Sequence, residues 1–454
     1  MRRGAKAMFT KIVRIAAIAN FIFCAATAVA AFTPQAAATQ SGSASKPRII
    51  HDTQAEELNA LLAAAQKAID AQDYAAAAKD YQDFLAKQPS NANIHFQLGY
   101  AYTALQRPAD AKDEYQRAAE LDPKMDAAFL NWGLSVLDTD PAAAIEPLSR
   151  AAELQPDEAR PKFLLGWAYE RSHKLQEAIA QFRAAEKLDD KNFDVHFAMA
   201  RSLLASNRAP EAETEFRAAL ALKEDSAPAH LGLAQCLIAQ KKFDAGEPEL
   251  AAYLAANPND MTARLDHASM LVDLAKYPEA LAELDKIGDA PGPDEIRALK
   301  LRSETLFQLK RYDDAIPVLA KAAALAPQDP EIQARLGHLY IDKKDYAEAL
   351  KALGASFRMD PSSNDVLADI VAANYLSKNW PAALDAIELL SKRKPLPVGS
   401  IFIRATCYDR LGQTKLALDG YQEFLKLNKD QTSDMYFEAT ARSRTLQREL
   451  DKKR

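Results

Sequence analysis

The chain has little of what most enzymes need. Among 454 residues there are three cysteines, fourteen glycines and seven histidines. No glycine-rich loop that would cradle a phosphate is present, nor an HExxH pair, nor a nucleophile elbow, so the common phosphoryl-transfer, metalloprotease and hydrolase frameworks have no foothold. No CxxC pair occurs, and Cys236 and Cys407 are far apart in sequence, which excludes a dithiol redox motif and makes a disulfide between them implausible in a chain whose segments touch only their neighbours. Both read as small buried hydrophobes. A positive balance is missing as well. Removing the five basic residues of 1–30 leaves 52 basic against 63 acidic residues, a net charge of −11. Nucleic acid, which needs a positive footprint, is therefore not the expected partner, and neither is a broad anionic membrane surface.

What the chain does have is a period. A small residue returns at 77, 111, 144, 178, 212, 246, 280, 315, 349, 383 and 417, alanine at every position but Gly246. All steps are 34 residues except one of 33 (111 to 144) and one of 35 (280 to 315). Twelve positions upstream, or eleven for Gly133, lies a second small residue in most units (Ala65, Gly99, Gly133, Gly166, Ala200, Ala234, Ala268, Ser303, Gly337, Ala405), with Val371 as the exception. Four positions downstream lies a bulky one, such as Tyr81, Tyr115, Phe182, Phe216 and Tyr421. Between Asn93 and Pro123 apolar residues fall at helical spacing in two runs, separated by the polar break Gln106-Arg107-Pro108. Each unit is expected to be an antiparallel helical hairpin, with small residues where helices approach and a proline, as at Pro89 or Pro361, ending the second helix.

The runs Leu98-Gly99-Tyr100-Ala101-Tyr102 with Ala111, Tyr115, Ala118 and Pro123, and Leu165-Gly166-Trp167-Ala168-Tyr169 with Ala178, Phe182 and Ala185, resemble the tetratricopeptide repeat (TPR). So does Leu336-Gly337-His338-Leu339-Tyr340 with Ala349, Leu353 and Pro361. The resemblance covers residues 58–431 as about eleven units. It implies an all-α, right-handed superhelical solenoid. Residues 58–295 make units one to seven and 296–431 units eight to eleven, with Pro291-Gly292-Pro293 as the expected seam. Units four and five lack the closing proline (Asp190, Glu224), which suggests looser junctions there. Residues 432–454 are expected to form a capping helix, with Tyr436, Ala439, Ser443, Leu446 and Leu450 facing the stack, and a basic tail.

The N-terminus reads as a targeting segment. Arg2, Arg3, Lys6, Lys11 and Arg14 precede an uncharged, mostly apolar run from Ile15 to Val29, and Ala28-Val29-Ala30 has the small-x-small form of a signal peptidase site. Residues 1–30 are thus expected to be a signal peptide, with Ala36-Ala37-Ala38 a second candidate site. Residues 31–57 follow as a flexible leader and the start of the first helix. An uncleaved membrane anchor or a lipoprotein at Cys24 remain alternatives, although the run is short for a span and Phe21-Ile22-Phe23 is a poor lipobox. The expected location is the periplasm or the exterior of a bacterial cell.

Candidate chemistry is sparse. His95, His196 and His230 share the fourth repeat position, but one repeat separates the last two by roughly 20 Å, too far to share a metal. They are expected to pack at the edge of the core, and neither metal nor cofactor is expected. In TPR arrays the fifth and ninth positions of each first helix face the concave surface. By that resemblance Phe96, Tyr100, Leu130, Leu134, Phe163, Trp167, Phe197 and Arg201 would line a groove for a protein or peptide segment. Packing within the superhelix is the competing reading for these residues. From unit seven onward the same face turns polar (Asp266, Lys300, Glu304, Arg335, Asp369, Asp409). The expected function is a non-enzymatic scaffold of the bacterial envelope. The alternative is a periplasmic component of polysaccharide synthesis or export, which rests on analogy.

Overall fold

Amphipathic segments of thirteen or fourteen residues are too short to persist alone as helices in water, so each must bury its apolar face on a neighbour. The computed structural model describes residues 53–288 and 293–452. These fold as 23 helices, with no strand among the described residues and no helix among them long and apolar enough to cross a membrane. The expected signal peptide, the leader up to residue 52, the seam at 289–292 and the final two tail residues lie outside the described residues. The helix Thr53–Asp70 opens the described part, and the residues from Leu61 onward form one compact unit.

Within 61–454 the helices alternate as first and second members of hairpins, each packing on the next in chain order. Every alanine of the 34-residue ladder is fully buried, and so is each bulky residue four positions on. The glycines explain how this fits. At Gly99 a Cβ would lie 2.8 Å from Cδ1 of Tyr115, and at Gly133 it would lie 2.5 Å from Cγ of Leu148, closer than packed carbons tolerate. The upstream small residue is therefore a seat for the bulky one. Repeat five departs from this. Its seat is Ala200, and room for Phe216 comes instead from Gly232 of the following hairpin.

The turn inside each hairpin is as regular as the core. In repeat two the Arg107 N–H donates to the Tyr102 carbonyl and the Gln106 N–H to that of Thr103, the Schellman arrangement that closes a helix through one left-handed residue. Gln72, Gln106, His173, Asn207, Lys241, Ala275, Lys310, Lys344 and Lys378 all hold φ between 56° and 64° at this site, and Gly412 takes it in repeat eleven. Repeat three alone lacks it. Its first helix, Asp126–Leu137, is a residue shorter than its neighbours', and the Asp140 N–H returns to the Val136 carbonyl. The 33-residue step in the sequence is thus the deletion of the left-handed residue.

Two junctions bear on the expected organisation. Leu265, Ala268, Leu284, Ile287 and Ala298 form one buried cluster running from repeat seven into repeat eight. At the far end the helix Asp434–Lys452 lies on the last hairpin, with Ala439 and Leu446 buried among Phe402, Tyr421 and Phe424, and Leu450 packed at the edge. Arg442 fixes its register through two 2.7 Å hydrogen bonds to the Asp409 carboxylate.

Candidate partner-binding surface

First helices of successive repeats meet one another directly, at repeats three to four, four to five, five to six, seven to eight and nine to ten. This packing brings first helices together along one side of the stack. Residues at i and i+4 share a helix face, so the fifth and ninth repeat positions sit one above the other on each first helix.

The proposed groove residues do not share one environment. Phe96, Tyr100, Leu130, Leu134 and Phe163 are half-buried, whereas Trp167 and Phe197 are only 8% and 5% exposed. The fifth-position aromatics lean on the bulky residue of their own second helix: Phe96 on Tyr115 at 5.5 Å, Phe163 on Phe182 at 5.9 Å, Phe197 on Phe216 at 5.8 Å and Phe402 on Tyr421 at 5.9 Å between ring centres. They complete the hairpin core with one edge and leave the other toward solvent where no neighbour covers it. Tyr100 stands edge-on to Tyr74 of the preceding repeat at 6.2 Å. Arg201 bonds Glu170 of the preceding first helix at 2.6 Å and lies over the Phe197 ring at 5.7 Å, which closes the apolar strip at repeat five.

Beyond it the polar stretch is paired between repeats. Arg297 reaches Asp266 at 2.7 Å, Lys300 reaches Glu331 at 2.5 Å, Arg335 reaches Glu304 at 3.3 Å, and His338 lies 3.8 Å from Asp369. Hydrogen bonds from Lys300 hold the Glu331 carboxyl below its ordinary range, and the Asp369 carboxylate facing it pushes the His338 imidazole above its own. These charges join neighbouring repeats, a role their sequence positions alone did not reveal.

The three fourth-position histidines are brought into one recurring clamp. Nδ1 of His95, His196 and His230 lies 2.6, 2.8 and 2.6 Å from Glu114, Glu215 and Glu249 of the same hairpin. Their Nε2 atoms lie 3.0, 3.0 and 2.9 Å from the carbonyls of Pro89, Asp190 and Glu224 in the loop before it. A carbonyl only accepts, so Nε2 carries the hydrogen. Arg264 makes the equivalent bonds to Glu283 and to the Pro258 carbonyl. The two junctions without a closing proline are therefore tied by His196 and His230. Cys236 and Cys407 are free and buried, and burial pushes their thiols up to about 12 and about 11, which leaves no thiolate for chemistry.

No curated protein matches the chain. Similar solved structures include MamA (22% identity, 38% of this chain and 95% of that one, TM-score 0.36). Another is YrrB, described as a TPR protein with an unusual peptide-binding site (16%, 41% and 96%, TM-score 0.38). A third is yeast Tom70 (14%, 88% and 97%, TM-score 0.34). One tetratricopeptide-repeat family model matches residues 62–126, 138–193, 265–330 and 335–397, and a second matches 203–264 and 306–355. The models together span well over half of the sequence, and the chain belongs to the tetratricopeptide-repeat family.

Proposed function

We propose that this TPR stack is a non-enzymatic scaffold of the bacterial cell envelope that takes a partner protein's apolar or amphipathic segment on the first helices of repeats two to four. The observation that carries this reading is the half-buried strip Phe96, Tyr100, Leu130, Leu134 and Phe163 on a face whose remaining charges are already paired between repeats. Half-buried aromatics offer apolar area at little entropic cost, the usual anchors of a binding surface. Trp167 and Phe197 continue the strip but are almost covered, and Arg201, held by Glu170, marks its end. The envelope location rests on the basic and apolar N-terminal segment ending at Ala28-Val29-Ala30.

The test is co-purification of the exported chain with its partner, in wild type and in Tyr100→Ala/Leu134→Ala. The reading expects a partner that is lost from the double variant while the helical circular dichroism is unchanged. A partner retained in full by a folded double variant would reject the assignment of this face.

A further inference from the structure

We propose that Glu186, His196 and Glu215 form a binding site for a divalent transition-metal cation of the zinc class, at the junction of repeats four and five. The nitrogen and carboxylate donors of these three side chains all lie within 4.8 Å of one another. Glu186 ends the second helix of repeat four, Leu175–Glu186. His196 and Glu215 lie on the two helices of repeat five, Phe193–Ala205 and Ala209–Leu222.

The repeat supplies its own controls. The position eight residues after the ladder alanine is Leu85, Leu220 and Leu254 in repeats one, five and six, and it is apolar or small in the others. Glu186 is the single acidic residue there. The His95 and His230 clamps have the same carboxylate and the same carbonyl, but Leu85 and Leu220 stand where Glu186 stands beside His196. Of these three clamps, only that of repeat five brings two carboxylates to one imidazole.

The imidazole is already oriented as a ligand. Its Nε2–H is committed to the Asp190 carbonyl, the outer bond that fixes the tautomer of metal-binding histidines, so Nδ1 faces the two carboxylates. Either a proton or a metal must lie between that nitrogen and Glu215. Tetrahedral ligands about 2.1 Å from one cation stand about 3.4 Å apart, so closure needs side-chain shifts of about 1 Å. Metal entry displaces the Nδ1 proton to solvent and neutralises the carboxylate pair. One imidazole and two carboxylates suit zinc better than magnesium, which demands an octahedral shell of oxygens.

Isothermal titration of Zn2+ into the mature, tag-free chain at pH 7.5 tests this, beside Glu186→Leu, which installs the residue that repeats five and six carry. The proposal expects one saturable site in wild type, weakened at least about tenfold in Glu186→Leu, with a zinc-dependent rise in Tm that the variant lacks. Mg2+ in the same titration should bind no more tightly to wild type than to the variant. Equal zinc binding by the two chains, or binding by neither, would overturn it and leave His196 a proton-carrying clamp like His95 and His230.

Discussion

Gly166 stands so close to Phe182 that a Cβ on it would lie 2.7 Å from both Cδ1 and Cε1 of the ring. One residue's lack of a side chain is the other's space, and the same relation recurs between Gly99 and Tyr115. Gly166→Ala should therefore destabilise by about 1–3 kcal/mol through overpacking. Shrinking the ring in Gly166→Ala/Phe182→Leu should recover part of that loss, because it matches the pairing of Ala234 with Leu250. Urea unfolding of the two single variants and the double variant gives the coupling, and additive effects would show that the two residues do not compete for one volume.

Ala275 holds φ 56°, a left-handed conformation that costs an alanine about 1–2 kcal/mol, and it is exposed. Ala275→Gly should raise stability by about 0.5–1 kcal/mol after the glycine's own entropy loss is subtracted. Asn207→Gly at the equivalent turn should change little, since asparagine tolerates this region. Thermal melts of the two variants check the contrast, and an equal response would mean that backbone strain at the turn is not what distinguishes them.

Glu213 is buried, and burial alone would raise its pKa. Hydrogen bonds from Lys242, Gln240 and Arg217 outweigh that and hold the carboxyl below its ordinary value. Lys242 and Gln240 belong to the hairpin turn of repeat six, so the carboxylate ties two repeats. A depressed folded pKa gives stability that is fully present above the unfolded value of about 4.5 and is lost as pH falls through the folded one. Glu213→Gln should cost about 1–3 kcal/mol at neutral pH, and the gap in Tm from wild type should narrow below about pH 4.5. A gap that stayed constant down to pH 3 would contradict the ionised, bonded carboxylate.

The hairpins, their phase, the buried ladder and the terminal cap could be read from residue spacing, because a small residue every 34 positions is a packing constraint written directly into the chain. The 33-residue step was visible too, but its meaning was not, since nothing in Leu137-Asp138-Thr139-Asp140 announces a missing left-handed turn. The surface was less legible. Phe163 and Trp167 look equivalent in sequence, yet Trp167 is covered and Phe163 is half-buried, a difference set by which neighbouring side chains reach each of them. The acidic and basic residues of repeats seven to eleven could be seen, but not their pairing across 31 positions. Glu186 broke the pattern of its column, a signal available in the sequence once that column is compared across repeats.

The most direct measurement of the central claim is site-specific photo-crosslinking in cells. A crosslinking residue is placed at Tyr100, Leu134 or Phe163, and at the exposed Arg150 of a second helix for comparison. If the first-helix strip is the docking surface, the three strip positions should capture the same short segment of one protein, and position 150 should not. Capture at position 150 with equal yield, or different proteins at each strip position, would contradict it.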